Sequence, residues 1–304
     1  MTVVSSRYGK ANVRLLKVRR DAADPQKQDI IELRVQCLLQ GDFDTSYTKA
    51  DNSSIVPTDT VKNTLYLLAK LGEVWPCEYY ASRVAQHFLD TYGHIATVHI
   101  EILEAVWERI QLDGKDTKHS FVQRNGEFKT VSLVKPRSGP FAITSGIKGL
   151  TVLKSTGSQF HGYNVCPMTT LKPTWDRFLS TDVDATWVWD PKAVGDLNSV
   201  KQLAANGEFD KTYTGARATT LRIFVEENSA SVQATMYNMG MDILAKNKLV
   251  KYVSYKLPNK HYIEMDMSWY KGTENTGKHS EVLLPATDPN GLIECTIGRD
   301  EPKL

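Results

Sequence analysis

The order helix followed by two antiparallel strands occurs twice along this chain, and that recurrence limits the available folds more than any other feature. In the first half, residues 30–40 (IIELRVQCLLQ) put Ile31, Leu33, Val35, Cys37 and Leu39 on one side of an alternating strand. Val61, Leu65 and Leu68 then recur at helical spacing between Asp59 and Leu71, before Gly72. A second helix begins at Pro76 with Tyr80, Val84 and Phe88 inward. Strands follow at 98–102 and on both sides of Asn125-Gly126, a dipeptide that favours hairpin turns. In the second half, Val232, Met236, Met239 and Ile243 mark a helix over 229–247, and LVKYVSYKL continues as a strand. Sheets backed by helices on one face are the expected result, an α+β chain of two related units with a boundary near 136–146, where KPRSGPF (135–141) reads as a linker.

The 304 residues and 41% hydrophobic content suffice for two such cores. A formal charge of +2, with acidic and basic residues interspersed, does not suggest nucleic acid or a membrane surface as partner. No stretch of 18 apolar residues and no secretory leader is present, so neither a membrane span nor export is expected. Cys37, Cys77, Cys166 and Cys295 stand far apart and are expected to stay reduced. The P-loop, dinucleotide-binding, zinc-protease and nucleophile-elbow motifs are absent, and the nearest histidine pair, His94 and His99, falls on opposite strand faces. Neither a protein-bound metal nor a dinucleotide is expected.

Polar residues occur where the patterns call for burial or tight turns. From Ile263 the segment LPNKHYIEMDMSW (257–269) alternates, with Ile263, Met265, Met267 and Trp269 on one side, and the same period places Asn259 and His261 on that apolar face. A buried polar group without a partner costs roughly 1–3 kcal/mol, so something has to meet them. A local loop contact is the ordinary explanation for His261. Lys10 follows Gly9 in RYGK, where an exposed charge is the ordinary explanation and a desolvated proton acceptor the functional one. Thr58 and Asp59 follow Pro57 at a helix start, where either is a good N-cap and the backbone N–H groups form an anion site. Phe160 lies among Gly157, Gln159 and Gly162, and Arg177 follows Trp175 in a segment where a surface ion pair would be unremarkable. Val232 and Gln233 open the clearest helix.

Together these segments resemble the uricase (urate oxidase) family. The resemblance rests on YGK (8–10), TSYTKADNS (45–53), PTDTVKNT (57–64), LTVLKSTGSQF (150–160), LSTDVDATW (179–187), NSASVQATM (228–236), LPNKHY (257–262) and DPNGLIECT (288–296), in the family's order. Met168 departs from it where an aromatic residue is usual, and Pro302-Lys303-Leu304 departs from the Ser-Lys-Leu peroxisomal address.

The resemblance implies tandem tunnelling-fold domains, 1–140 and 141–304, in a homotetrameric barrel around a tunnel, with each site shared by two subunits. It implies oxidation of urate by dioxygen and water to 5-hydroxyisourate and hydrogen peroxide without a cofactor. By the same resemblance Lys10, Thr58 and His261 form a proton relay. Arg177 and Gln233 clamp one edge of urate, Phe160 stacks on it, and the N–H groups of Asp59 and Val232 bind its heteroatoms. Leu171 closes the pocket, while Asn259 and Thr58 hold dioxygen. The tail implies peroxisomal location through an import receptor. Two rival readings remain: a pteridine-processing enzyme of the same fold, and a purine-binding protein that has lost catalysis.

Overall fold

The computed structural model describes residues 2–299, so the Pro302-Lys303-Leu304 tail lies outside the described residues. Strands β1 (Tyr8–Arg20) and β2 (Gln28–Gly41) lead to helices α1 (Asp44–Thr48), α2 (Thr58–Leu71) and α3 (Cys77–Thr91), then to β3 (Ile95–Leu112) and β4 (Lys115–Pro136). The second half repeats this with β5 (Ala142–Lys154), β6 (Leu179–Trp189), α4 (Leu197–Ala205), α5 (Glu208–Glu226), α6 (Val232–Lys246), β7 (Val250–Glu264) and β8 (Leu283–Gly298). All eight strands form one antiparallel sheet in sequence order, with β1 and β8 at its edges.

Strand alternation decides which face is covered. Ile31, Leu33, Val35, Cys37 and Leu39 of β2 are buried under the helices, as are Val253, Tyr255 and Leu257 of β7. The opposite face carries Arg34, Glu101 and Ser132 exposed to solvent.

The two halves correspond residue by residue. Helices α3 and α6 have the same length and end at Tyr92 and Asn247, whose N–H groups donate to Phe88 and Ile243 O. Arg137, beyond β4, donates to Tyr92 O and Ile95 O; Arg299, beyond β8, donates to Asn247 O and Val250 O. Lys17 of β1 caps α2 through Ala69 O and Gly72 O, and Lys154 of β5 caps α5 through Phe224 O and Glu227 O. Register shifts fall at Lys10/Val13 and Ile147/Leu150, each next to a left-handed residue, Asn12 (φ 54°) or Gly149 (φ 73°). Gly9 and Gly146 lie so close to Cys37 O and Ala185 O that a Cβ would sit 2.0 and 2.5 Å away.

Several expectations need correction. Asn125-Gly126 does not turn a hairpin: β4 runs through it, and Gly126 (φ 80°) bulges opposite Gly149. The turn is made by Asp113-Gly114, whose φ values of 51° and 74° match the twist of the flanking strands. Strand β7 ends at Glu264, and Ile263, Met265 and Trp269 are 52%, 41% and 80% exposed, so this alternation does not cover a core. Asn275 instead ties the following loop together by donating to Met265 O and Val282 O. Helix α2 starts at Thr58 with Pro57 as N-cap, and neither the Thr58 nor the Asp59 side chain caps it. Helix α6 starts at Val232 rather than 229, with Ser231 as its cap.

Candidate functional site

Two buried side-chain atoms without a partner among the described residues, Ser158 Oγ and Arg177 Nε, lie on segments that meet near the start of α6. Three short segments are laced together there by backbone hydrogen bonds. Ser229 N donates to Gly157 O, Gln159 N to Ser229 O, and Arg177 N to Ser158 O, while Phe160 and Thr174 exchange both bonds. Asp176 fixes the turn by accepting from Gly157 N and Thr156 Oγ1. These bonds hold Arg177 and Phe160 on one ledge, tied through Ser229 to the start of α6, where Val232 is buried and Gln233 exposed.

On that ledge the Arg177 guanidinium lies 5.0 Å from the centre of the Phe160 ring. The ring stacks on Tyr163 at 4.9 Å, and Tyr163 Oη donates to Leu171 O, which brings Leu171 to the rim, 57% exposed. Burial lowers the Arg177 pKa, and its Nε has no partner among the described residues. The surface ion pair that would be unremarkable in this segment is not formed by Arg177 among the described residues. Ser158 Oγ is likewise buried and unpaired. Two buried donors beside an aromatic face suit a planar ligand that brings its own acceptors.

Asn259 stands nearby on β7, paired with Thr181 of β6 and Gly291 of β8. It continues the inward face of Tyr255 and Leu257, and its Oδ1 is buried without a partner. The sheet is irregular between Asn259 and His261, and His261 is exposed. The expectation of an inward imidazole fails within the single chain because the core has ended there. Lys260, between them, anchors the strand end through Asp182 at 2.6 Å.

Lys10, Thr58 and Asp59 form a second group on β1 and the first turn of α2. Tyr8 Oη accepts from Val56 N at 2.7 Å and fixes the approach to α2. The Asp59 carboxyl is held below its usual range, first by a hydrogen bond from Lys62, then by that residue's charge, with a smaller contribution from the charge of Lys10. Lys10 is half-buried, and Thr58 and Asp59 are exposed. Five strands separate β1 from β7, so the chain does not by itself bring Lys10 and Thr58 to His261 and Arg177.

Sequence reasoning passed over Ser158, Asp176 and Tyr8. Serines and aspartates are common in loops, and only the fold reveals that these segments meet. Among the described residues no cluster of three or more His, Cys, Asp or Glu is arranged to hold a metal.

Comparison with known proteins gives a consistent result. The family model described as Uricase matches residues 6–134 and 143–294. A curated uricase from Cyberlindnera jadinii is 53% identical over 300 residues, 99% of this chain and 98% of that protein. One from Aspergillus flavus is 49% identical over 301 residues, covering 99% and 98%. The crystal structure of uricase from Arthrobacter globiformis superimposes with a TM-score of 0.86 at 34% identity, covering 100% of this chain and 97% of that one.

Proposed function

Matched by the family model along nearly its whole length, the chain belongs to the uricase family, and on that premise we propose how its two groups of residues act on urate. The activity is urate oxidation: two electrons pass from urate to dioxygen to give hydrogen peroxide, and water supplies the hydroxyl oxygen of 5-hydroxyisourate. The observation that carries the assignment of the site is the buried, unpaired Arg177 Nε beside the Phe160 ring.

Urate is a planar anion, and the Arg177 fork supplies two parallel donors to one edge of it, each bond to a charged acceptor contributing about 1.5–3 kcal/mol. Gln233 adds an amide donor and acceptor beside it. Phe160 stacks against the ring, an aromatic contact worth about 0.5–1.5 kcal/mol beyond area burial. The Val232 N–H, at the start of α6, faces the heteroatoms of the same edge, and Leu171 covers the ring. Lys10, Thr58 and His261 remove the further proton that makes bound urate electron-rich enough to reduce dioxygen. Asn259 and Thr58 hold dioxygen over the ring, and the Asp59 N–H binds the substrate from the relay side. No step in this scheme draws on a metal or organic cofactor.

The separation of the two groups follows from a site shared between subunits. Within one chain, β4 pairs with β5, and the start of α3 meets α5 across that seam. The corresponding surface of the second half, formed by α6 and the β8 edge, has no such neighbour among the described residues, while β1 and α2 form the complementary edge. A second copy placing β1 and α2 there brings Lys10, Thr58 and Asp59 to Arg177 and Asn259. Two eight-stranded sheets joined in this way close a ring, and two rings stack into the proposed homotetramer around a tunnel. Each chain then consists of tandem units, 1–140 and 141–304. We further propose that Pro302-Lys303-Leu304 is read by a peroxisomal import receptor, which would place peroxide formation beside peroxide-consuming enzymes.

The decisive experiment adds metal-chelated protein to urate in air-saturated buffer and follows urate absorbance together with peroxide. Matched loss and gain are expected. Binding without turnover would establish a lapsed enzyme, and turnover that needs added metal would remove the cofactor-free scheme.

A further inference from the structure

The internal repeat points to a second place in the molecule built to the design of the substrate site. With the halves aligned on Gly9 and Gly146, Lys17 and Lys154, Tyr92 and Asn247, and Arg137 and Arg299, Gln233 corresponds to Glu78 and Asn259 to Glu104. On the complementary edge Thr58 corresponds to Tyr213, and Lys10 to Ile147. Glu78, Glu104 and Tyr213 do meet: they line one small cavity of about 10 Å³ at the β4–β5 seam, where the two halves join.

That cavity contains the ammonium group of Lys129. It lies 3.3 Å from Glu104, 3.3 Å from Asp210 and 4.7 Å from the centre of the Tyr213 ring. Burial alone would lower its pKa, but the carboxylates of Glu104 and Asp210 outweigh burial and raise it. Ser145 donates to Glu78 Oε1 at 2.6 Å and accepts from Trp189 Nε1 at 2.9 Å. The indole N–H of Trp187, buried in the cavity wall, has no acceptor among the described residues. With the Lys129 side chain in its wall, the void is far smaller than the roughly 300–1,000 Å³ of ligand pockets.

We propose that the seam between the two halves is a second ligand site of the same design as the substrate site, occupied by the chain's own Lys129 in place of a ligand. This rests on the reading that Gln233 and Asn259 hold the substrate. Two differences account for its being a binding design without chemistry. Ile147 stands where Lys10 stands in the other copy, so the lysine of the proposed relay has no counterpart there. The connection bearing Phe160 and Arg177 (155–178) is replaced between β1 and β2 by the short turn 21–27, so no stacking ring or fork is present. Glutamates where the other copy has amides change the ligand class from an anion to a planar cation presenting adjacent N–H donors to paired carboxylates.

Guanidinium, at millimolar concentration, is the probe. Lys129→Ala opens the cavity, and Lys129→Ala combined with Asp210→Asn opens it while keeping the charge of the seam unchanged and both glutamates in place, in case the single variant does not fold. The melting temperature of the opened chains should rise by about 3 °C or more in a saturable manner, relative to sodium chloride of equal ionic strength. The parent chain and Lys129→Met, which keep the space filled, should show no such rise. Identical melting of the opened chains in both salts, or an equal response from Lys129→Met, would overturn the proposal. Urate turnover of the parent is measured alongside: its absence would count against the substrate reading, whereas turnover without a guanidinium response would defeat the seam site alone.

Discussion

Arg177 is held by its backbone and by the Phe160 ring, and its buried Nε has no partner among the described residues. Its value to a planar anion lies in the geometry of the fork, because a lysine at the same place keeps the charge and loses the second parallel bond. Arg177→Lys should weaken urate binding at least ~10-fold, one bond to a charged acceptor being worth about 1.5–3 kcal/mol. A binding isotherm with an unfolded-fraction control measures it, and unchanged affinity would remove Arg177 from the site. Glu78 makes a contrasting prediction. Burial pushes its carboxyl up to about 7, against the hydrogen bond from Ser145 and the charge of Lys129, with Glu104 pushing the same way as burial. A carboxyl whose folded pKa is raised binds its proton more tightly in the native state, so its contribution is complete below about 4.5 and is lost as pH rises through about 7. The stability difference between the parent and Glu78→Gln should therefore shift by about 3 kcal/mol in favour of the variant over that window. Urea unfolding at several pH values checks this, and a pH-independent difference would contradict it.

Elements were legible where burial enforced a period. The β2 alternation, the apolar stripes of α2, α3 and α6, and the inward parity of Asn259 could all be read from residue spacing. Where a period existed without burial, as at Ile263, Met265, Met267 and Trp269, the same reasoning produced a buried face that does not exist. Helix α5 escaped notice because its buried stripe includes Thr212, Ala216, Thr219 and Thr220 beside Phe209, Ile223 and Phe224, a pattern too polar to stand out. Asn125-Gly126 misled because left-handed backbone serves a bulge as well as a turn. The ledge under Arg177 was unreadable for another reason: three segments distant in sequence meet only in the fold. Glycines separate the two kinds of constraint at this scale. Gly146→Ala would put a Cβ 2.5 Å from Ala185 O, and the strands have to move apart, at a cost of about 1–3 kcal/mol. Gly215, inside α5, meets nothing within 4 Å, and Gly215→Ala should add about 0.5–1 kcal/mol. Paired denaturation curves test both, and equal effects would show that close strand approach does not fix Gly146.

At the scale of the molecule, the sheet order itself makes a prediction. The relay candidates Lys10 and Thr58 belong to the β1 edge, and the clamp candidates Arg177, Gln233 and Asn259 to the β6–β8 end, with β2 to β5 between them. If one chain's edge completes the other chain's site, a chain lacking Lys10 still offers an intact clamp, and a chain lacking Arg177 still offers an intact relay. Lys10→Met should depress turnover far more than binding, while Arg177→Ala should abolish binding, so each homogeneous preparation is nearly inactive. In random mixed assemblies, a site draws its clamp from one chain and its relay from the other. About a quarter of sites in an equal mixture then combine both intact parts, since each part is intact with a probability of about one half. Co-expression of the two variants with distinct tags, purification through both tags and assay of urate loss measures that fraction. Recovery toward a quarter of parental turnover would locate the site between subunits. No recovery in verified mixed assemblies would mean that each chain folds its own relay onto its own clamp, a rearrangement that the intervening strands oppose.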